Sequence, residues 1–297
     1  MKNKFTLFTV LGWEERFLLG TNYIIEKYKI KIVYLIRFID YLHMDNMAEN
    51  YESFKKILSD SGIELIHLDL EYRNSINNWK ILDSFFLNND FQNVTLNITT
   101  FPREAIWTML FYLRKKKSLI NYVYFKPTSY DNSEGGLTKN HKSPRLLFKH
   151  SGIFDINKKL ALFIITGFDQ GRTDLFIEYY EPSKVVYFSQ KGEQFENMKR
   201  NSGISPKIAF ENIEIENFEI DSYDVTKLSD ILNDLVYKHK DYNVIISCQG
   251  PKISAISTYI TYLKNNTIAL AYVPAREFSG KYSFGCNMEA VFGQLKF

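Results

Sequence analysis

Short apolar runs rich in β-branched and aromatic residues alternate along the whole chain with longer stretches of helical periodicity. This alternation restricts the fold to α/β architectures built on mostly parallel sheets. In the first half, Phe5–Leu11, Lys31–Ile36, Glu64–Leu68, Asn93–Ile98 and Tyr122–Phe125 read as strands. Glu15–Tyr28, Ala48–Ser61, Ile76–Leu87 and Pro102–Lys116 read as the helices between and after them. The second half repeats the plan, with strands near Leu160–Thr166, Lys184–Phe188, Ile213–Phe218, Asn243–Ser247 and Ile268–Val273, and helices after Asp169, Gln190, Tyr223 and Pro251. Two tandem Rossmann-like, doubly wound sheets are predicted, and 297 residues suit two domains of ordinary size.

Letters recur as well as pattern. Asn93-Val94 answers Asn243-Val244, Tyr112-Leu113 answers Tyr262-Leu263, and Tyr122-Val123 answers Tyr272-Val273, each 150 positions on (243 less 93). Gly12-Trp13-Glu14 answers Gly167-Phe168-Asp169 at 155 (167 less 12), and an arginine, Arg16 or Arg172, follows each. An internal duplication is the expectation, with shared folding rules as the alternative. The domains are placed at 1–127 and 158–297, the first a scaffold or pseudo-symmetric partner and the second the bearer of the ligand site. Residues 128–157, rich in turn formers and charge, read as a linker or long loop. The partly alternating segment Tyr282–Phe297 reads as a terminal hairpin or an edge strand added to the second sheet.

Charge and composition narrow the function. The net charge of +3 arises from 37 basic and 34 acidic residues spread along the chain, which disfavours bulk electrostatic binding of nucleic acid. Cys248 and Cys286 form no CxxC pair, so neither a disulfide framework nor a zinc site is indicated, and a reducing cytoplasm is the expected compartment. The apolar start at Phe5–Leu11 is followed by Trp13-Glu14-Glu15-Arg16 in place of a cleavage site, and reads as a buried first strand. No apolar run has the length of a membrane helix.

In open parallel sheets, ligands bind beyond the carboxyl ends of the strands, where helix N-termini offer amides to anions. Three such loops of the second half stand out. The first, Gly167-Phe168-Asp169-Gln170-Gly171-Arg172, supplies a turn, a carboxylate and a fixed cation, although Asp169 is equally suited to capping the following helix. In the second, Gly250 permits close backbone approach, Pro251 suits a first helical position and Lys252 brings a cation to the helix start; an ordinary turn with a solvated lysine is the alternative. The third, from Tyr272 to Ser283, offers Arg276, Lys281, Tyr282 and Ser283 to close over a base and phosphate, or is a decorated surface loop. The first half offers a weaker set in Arg16 and Arg103, where Thr99, Thr100 and Glu104 spell a capping arrangement.

Dinucleotide, P-loop, nucleophile-elbow and HExxH signatures are absent. His43, His67, His141, His150 and His239 lack metal-ligand spacing and read as structural or solvated. Cys248 precedes a helix start, where thiols are activated, but reads as a packing residue.

Gly250-Pro251-Lys252, following a hydrophobic strand and opening a helix, resembles the Gly-Thr-Lys type turn of CARF domains, Rossmann-like sensors of cyclic oligoadenylates in CRISPR-associated systems. The resemblance covers about the second half of the chain and implies a nucleotide pocket lined by Lys252, Gly250 and the segment Gly167–Arg172. Pro251 departs from the pattern. CARF proteins usually act as dimers with a fused effector; here no effector is evident, and a tandem duplication would supply a pseudo-two-fold within one chain. The pattern is also similar to that of uncharacterised bacterial proteins associated with antiviral defence operons.

Three readings follow. The first is a nucleotide or phosphorylated-ligand sensor, using Arg172, Lys252 and Arg276 and acting through a protein partner or homo-oligomer, with a nucleotide as ligand and no cofactor. The second is a nucleotide-processing hydrolase or transferase with Asp169 or Glu277 as general acid or base. The third is an assembly scaffold without a ligand.

Overall fold

The computed structural model describes residues 5–130, 138–191, 213–280 and 283–297. It divides into two compact units, one formed by Met1–Asn132 with Gly280–Phe297, the other by Ser133–Ser279.

In the first unit, β1 (Phe5–Val10), β2 (Ile30–Phe38), β3 (Glu64–Leu70), β4 (Val94–Asn97) and β5 (Leu119–Tyr124) alternate with α1 (Glu15–Lys27), α2 (Met47–Asp60), α3 (Ser75–Asn88) and α4 (Arg103–Lys116). These five strands run parallel in the order β5-β4-β1-β2-β3. Alternation of side chains along the strands divides the core between the two faces. Leu7, Val33 and Leu35 pack with Phe17 and Ile24 of α1 and Phe54 of α2. Phe8 and Tyr34 point the other way, into a cluster with Phe85 and Phe86 of α3 and with Phe91, and Tyr112 of α4 stacks on Phe86. Buried aromatics of this size contribute about 2 kcal/mol each from the area they remove from water.

The sixth strand is β16 (Val291–Lys296), antiparallel to β5 with Leu295 opposite Ile120. The expectation that the C-terminal segment joins the second sheet is thus corrected: it closes an edge of the first. Its alternating exposure, with Leu295 turned inward and buried, fits any half-covered sheet edge, so the local pattern does not choose the partner. The small β6 (Ser129–Tyr130) pairs with β15 (Ser283–Phe284), so Ser283 also belongs to the first unit rather than to the second domain in which it was expected.

The second unit contains β7 (Thr138–His141), β8 (Arg145–Leu146), β9 (Lys159–Ile165), α5 (Gln170–Tyr180), β10 (Lys184–Gln190), β11 (Glu214–Ile220), α6 (Val225–Lys238), β12 (Tyr242–Cys248), α7 (Ser254–Lys264), β13 (Ala269–Tyr272) and β14 (Ala275–Phe278). Its sheet has the order β11-β10-β9-β12-β13-β8, parallel except for β8. Leu162, Ile164, Val185 and Tyr187 pack under Phe176 and Ile177 of α5. Phe163 and Phe188 lie on the opposite face, where Phe163 meets His239 at the end of α6. The helix expected after Gln190 falls outside the described residues.

Both units thus share one strand order, and their pairings correspond. Thr6 lies opposite Val94, and Ala161 opposite Val244, which reproduces the 155 and 150 offsets at once (161 less 6, 244 less 94). The fifth strands differ: Leu96 faces Tyr122 whereas Ile246 faces Leu270, an offset of 148 (270 less 122) in place of 150. The segment expected as a linker or long loop supplies β7, which forms an antiparallel ribbon with β14 through the pairs Ala275–His141 and Phe278–Thr138.

Candidate functional site

The strand order of the second unit reverses between β9 and β12, and the carboxyl ends of these two strands define the crevice where such sheets receive ligands. Two glycines let the loops there cross. A Cβ at Gly167 would collide with the carbonyl of Gln249, and one at Gly250 would stand 2.7 Å from the carbonyl oxygen of Thr166. The amides of Gln249 and Gly250 both donate to the Ile165 carbonyl, at 2.8 and 2.9 Å. Gly167 and Gly250, expected at this site, are therefore required by backbone contact, neither lying at positive φ.

Asp169 is the N-cap residue of α5 but makes no side-chain cap. Its Oδ2 instead accepts hydrogen bonds from Thr138 Oγ1 and from His141 Nε2, the latter at 3.0 Å. The capping alternative is overturned: two donors brought by β7 outcompete the local amides. Burial opposes the charge on Asp169, but the bonds from His141 and Thr138 and the nearby Arg172 hold its carboxyl below the usual carboxylate range. A carboxylate that only accepts places the proton on His141 Nε2. His141, read from the sequence as structural or solvated, is thereby tied to Asp169.

Arg172, on the first turn of α5, is 5% exposed. Its Nε lies 3.7 Å from Asp169 Oδ2, and its guanidinium carbon 5.8 Å from the centre of the Tyr272 ring. Nε and Nη2 are buried with no hydrogen-bond partner. Buried guanidinium donors left in this state are costly and rare. Thr173, next on the helix, donates to Gln249 Oε1 at 2.7 Å and ties α5 to the β12 loop.

Lys252 is half-buried in the turn before α7. That helix begins at Ser254, three positions beyond Pro251, so Pro251 is not its first helical residue as expected. Ser254 Oγ donates to the Pro251 carbonyl at 2.6 Å and Cys248 Sγ lies 2.9 Å from Ser254 Oγ, so the buried Cys248 serves the turn. Phe168 is half-buried in the loop before α5. Arg276 and Glu277 are exposed on β14, where Glu277 accepts from the Asn140 amide. Tyr282 lies outside the described residues.

In the first unit the corresponding arginine is differently placed. Arg16 is 1% exposed and saturated: Nε donates to Glu14 Oε2 at 2.9 Å, Nη1 to the Phe125 carbonyl at 3.1 Å, and Nη2 to Glu14 and to Ser283 Oγ. Burial disfavours its charge, but Glu14 more than compensates and the guanidinium stays protonated. Ser283 Oγ donates to the same Glu14 oxygen at 2.6 Å, which fixes Ser283 in this structural clasp. Arg103 is buried at the start of α4. The expected capping arrangement there is not made, because Pro102 is the N-cap, while Thr100 donates to the Val10 carbonyl at 2.6 Å and Thr99 to Asn97 at 2.6 Å.

Among the described residues, no group of three or more His, Cys, Asp or Glu side chains comes together to hold a metal ion, and no helix is long and apolar enough to cross a membrane.

No family model matches the chain, and no curated protein matches its sequence. Among solved structures, an alignment to a keto acid-selecting NRPS module with adenylation, ketoreductase and pseudo Asub domains has a TM-score of 0.23 at 8% identity, over 90% of this chain and 33% of that one, and carries no argument. The chain is similar to a Type III CRISPR defence DNA nuclease activated by cyclic oligoadenylate, with a TM-score of 0.52 at 8% identity over 86% of this chain. It spans 64% of that nuclease, and at this identity the likeness establishes the shared fold.

Proposed function

We propose that the second unit is a sensor that binds a nucleotide or other phosphorylated ligand at the carboxyl ends of β9 and β12 and passes the signal to a partner. The observation that carries this reading is the buried Arg172 guanidinium, with Nε and Nη2 lacking acceptors beside the start of α5. The Gly167–Gly250 crossing, which brings backbone close to this crevice, supports it. Fold likeness to a nuclease activated by cyclic oligoadenylate supports a cyclic oligoadenylate as ligand and a CARF-like role in antiviral defence.

The test is a thermal-shift and calorimetric screen of linear oligoadenylates, cyclic oligoadenylates and cyclic dinucleotides. A ligand at 100 times its dissociation constant stabilises by about 2.7 kcal/mol. The expected result is saturable binding, lost in Arg172→Ala and weakened in Lys252→Ala, with the ligand recovered intact. No stabilisation by any member of the panel would overturn the reading.

The contact between His141 and Asp169 favours a second reading, a nucleotide-processing enzyme, because a carboxylate that orients a histidine is an acid–base arrangement. It requires product to accumulate with the wild type and to cease in His141→Ala while binding survives.

A further inference from the structure

One oxygen, Asp169 Oδ2, is the meeting point of three N–H or O–H groups from two segments: Thr138 Oγ1 and His141 Nε2 from β7, and Arg172 Nε from α5. Donors gathered in this way form an oxyanion subsite, and here the protein's own carboxylate occupies it. The fit is incomplete. Asp169 satisfies Thr138 and His141, but 3.7 Å to Arg172 Nε is too long for a hydrogen bond, and Nη2 has no acceptor either. A planar carboxylate engaged by β7 does not also reach the guanidinium fork, whereas the three oxygens of a tetrahedral phosphate span both. The carboxylate also has somewhere to go, since it stands at the N-cap of α5 without making the side-chain bond that position offers.

We propose that Asp169 is a resident anion that the ligand displaces: a phosphate takes the donors of Thr138, His141 and Arg172, and the carboxylate turns back onto the first amides of α5. This rests on the phosphorylated-ligand reading above and adds Thr138 and His141 to the ligand-binding residues. The exchange keeps the number of anions facing the donors constant, because the departing carboxylate is re-satisfied by the helix N-terminus.

Inorganic pyrophosphate titrated calorimetrically into the full chain tests the displacement. A resident competitor lowers apparent affinity by the fraction of sites it occupies, so Asp169→Ala is expected to bind pyrophosphate about tenfold more tightly than the wild type. Asp169→Asn, which preserves shape and removes charge, is expected to move in the same direction, and adding Thr138→Val to Asp169→Ala to reverse the gain. Unfolding midpoints of each variant establish that it is folded; should Asp169→Ala fail to fold, Asp169→Asn carries the test.

Equal or weaker binding in the folded variants overturns the displacement. If the wild type binds a nucleotide of the panel and Asp169→Asn binds it less well, the sensor reading stands and the displacement alone falls. If neither pyrophosphate nor any nucleotide binds wild type or variant, both fall.

Discussion

Arg172 Nε stands 3.7 Å from Asp169 Oδ2, an ion pair too long to be a hydrogen bond, in a guanidinium only 5% exposed. Arg16 in the other unit donates to Glu14 at 2.9 Å and is bonded on all three of its nitrogens. Two arginines that the sequence presents as counterparts therefore have opposite energetics, one a completed clasp and the other a buried guanidinium with two donors lacking acceptors.

This contrast predicts opposite stability effects. Arg16→Met takes the cation from the buried Glu14 carboxylate, which keeps the Ser283 hydroxyl, and is expected to cost about 3–5 kcal/mol, the penalty of breaking a buried pair from one side. Arg172→Met leaves Asp169 bonded to Thr138 and His141 and removes two unsatisfied donors, so stability is expected to stay level or rise while anion binding disappears. Urea unfolding of the two variants, beside pyrophosphate titration, checks both.

Gly250→Ala places a methyl group 2.7 Å from the Thr166 carbonyl oxygen and forces the two loops apart. The expected cost is about 1–3 kcal/mol, with weaker ligand binding. Gly62→Ala is the control: it has open space around it and only its φ of +62° to oppose the substitution, so about 1 kcal/mol and unchanged binding are expected. Equal binding losses in the two variants would show that the crossing does not shape the site.

Stability of the second unit should carry an acid-sensitive component from Glu216. Lys184 at 2.9 Å, aided by Lys238 and His239 and against the effect of burial, draws its carboxyl from the ordinary 4.5 to about 2. A carboxyl whose folded value is depressed contributes stability that is fully present above its unfolded value and is lost as pH falls through the folded one. The gap in unfolding midpoint between wild type and Glu216→Gln should be widest near neutrality and shrink as pH falls from about 4.5 towards about 2. A gap that does not change with pH would assign Glu216 a packing role only.

Leu295 is 4% exposed on β16 and lies opposite Ile120 of β5. Leu295→Ala is expected to destabilise the first unit by about 2–4 kcal/mol, with ligand binding by the second unit intact. Hydrogen exchange resolved by segment reads this directly: faster exchange across β5 and β16, and none across β9 and β12.

The elements were legible because each rests on a local pattern. Glu64–Leu68 was expected as a strand and Glu64–Leu70 is one; Glu15–Tyr28 was expected as a helix and Glu15–Lys27 is one. Partners were less legible. Thr99 and Thr100 spell a helix cap, yet their hydroxyls are taken by Asn97 and by Val10, the latter about ninety positions away in sequence. His141 lies in a charged, turn-rich stretch with no periodicity, so nothing near it announces a place beside Asp169.

By itself the sequence determined the alternation of strands and helices, the two mostly parallel sheets, and the loops after β9 and β12 that carry Gly167, Asp169, Arg172 and Gly250, because periodicity and turn chemistry act over a few residues. Only the tertiary structure decided that β16 completes the first sheet, that β7 delivers Thr138 and His141 to Asp169, and that Nε and Nη2 of Arg172, unlike those of Arg16, are left without acceptors. Those outcomes depend on which distant groups compete for the same edge or the same oxygen, and that competition is settled only when the chain is packed.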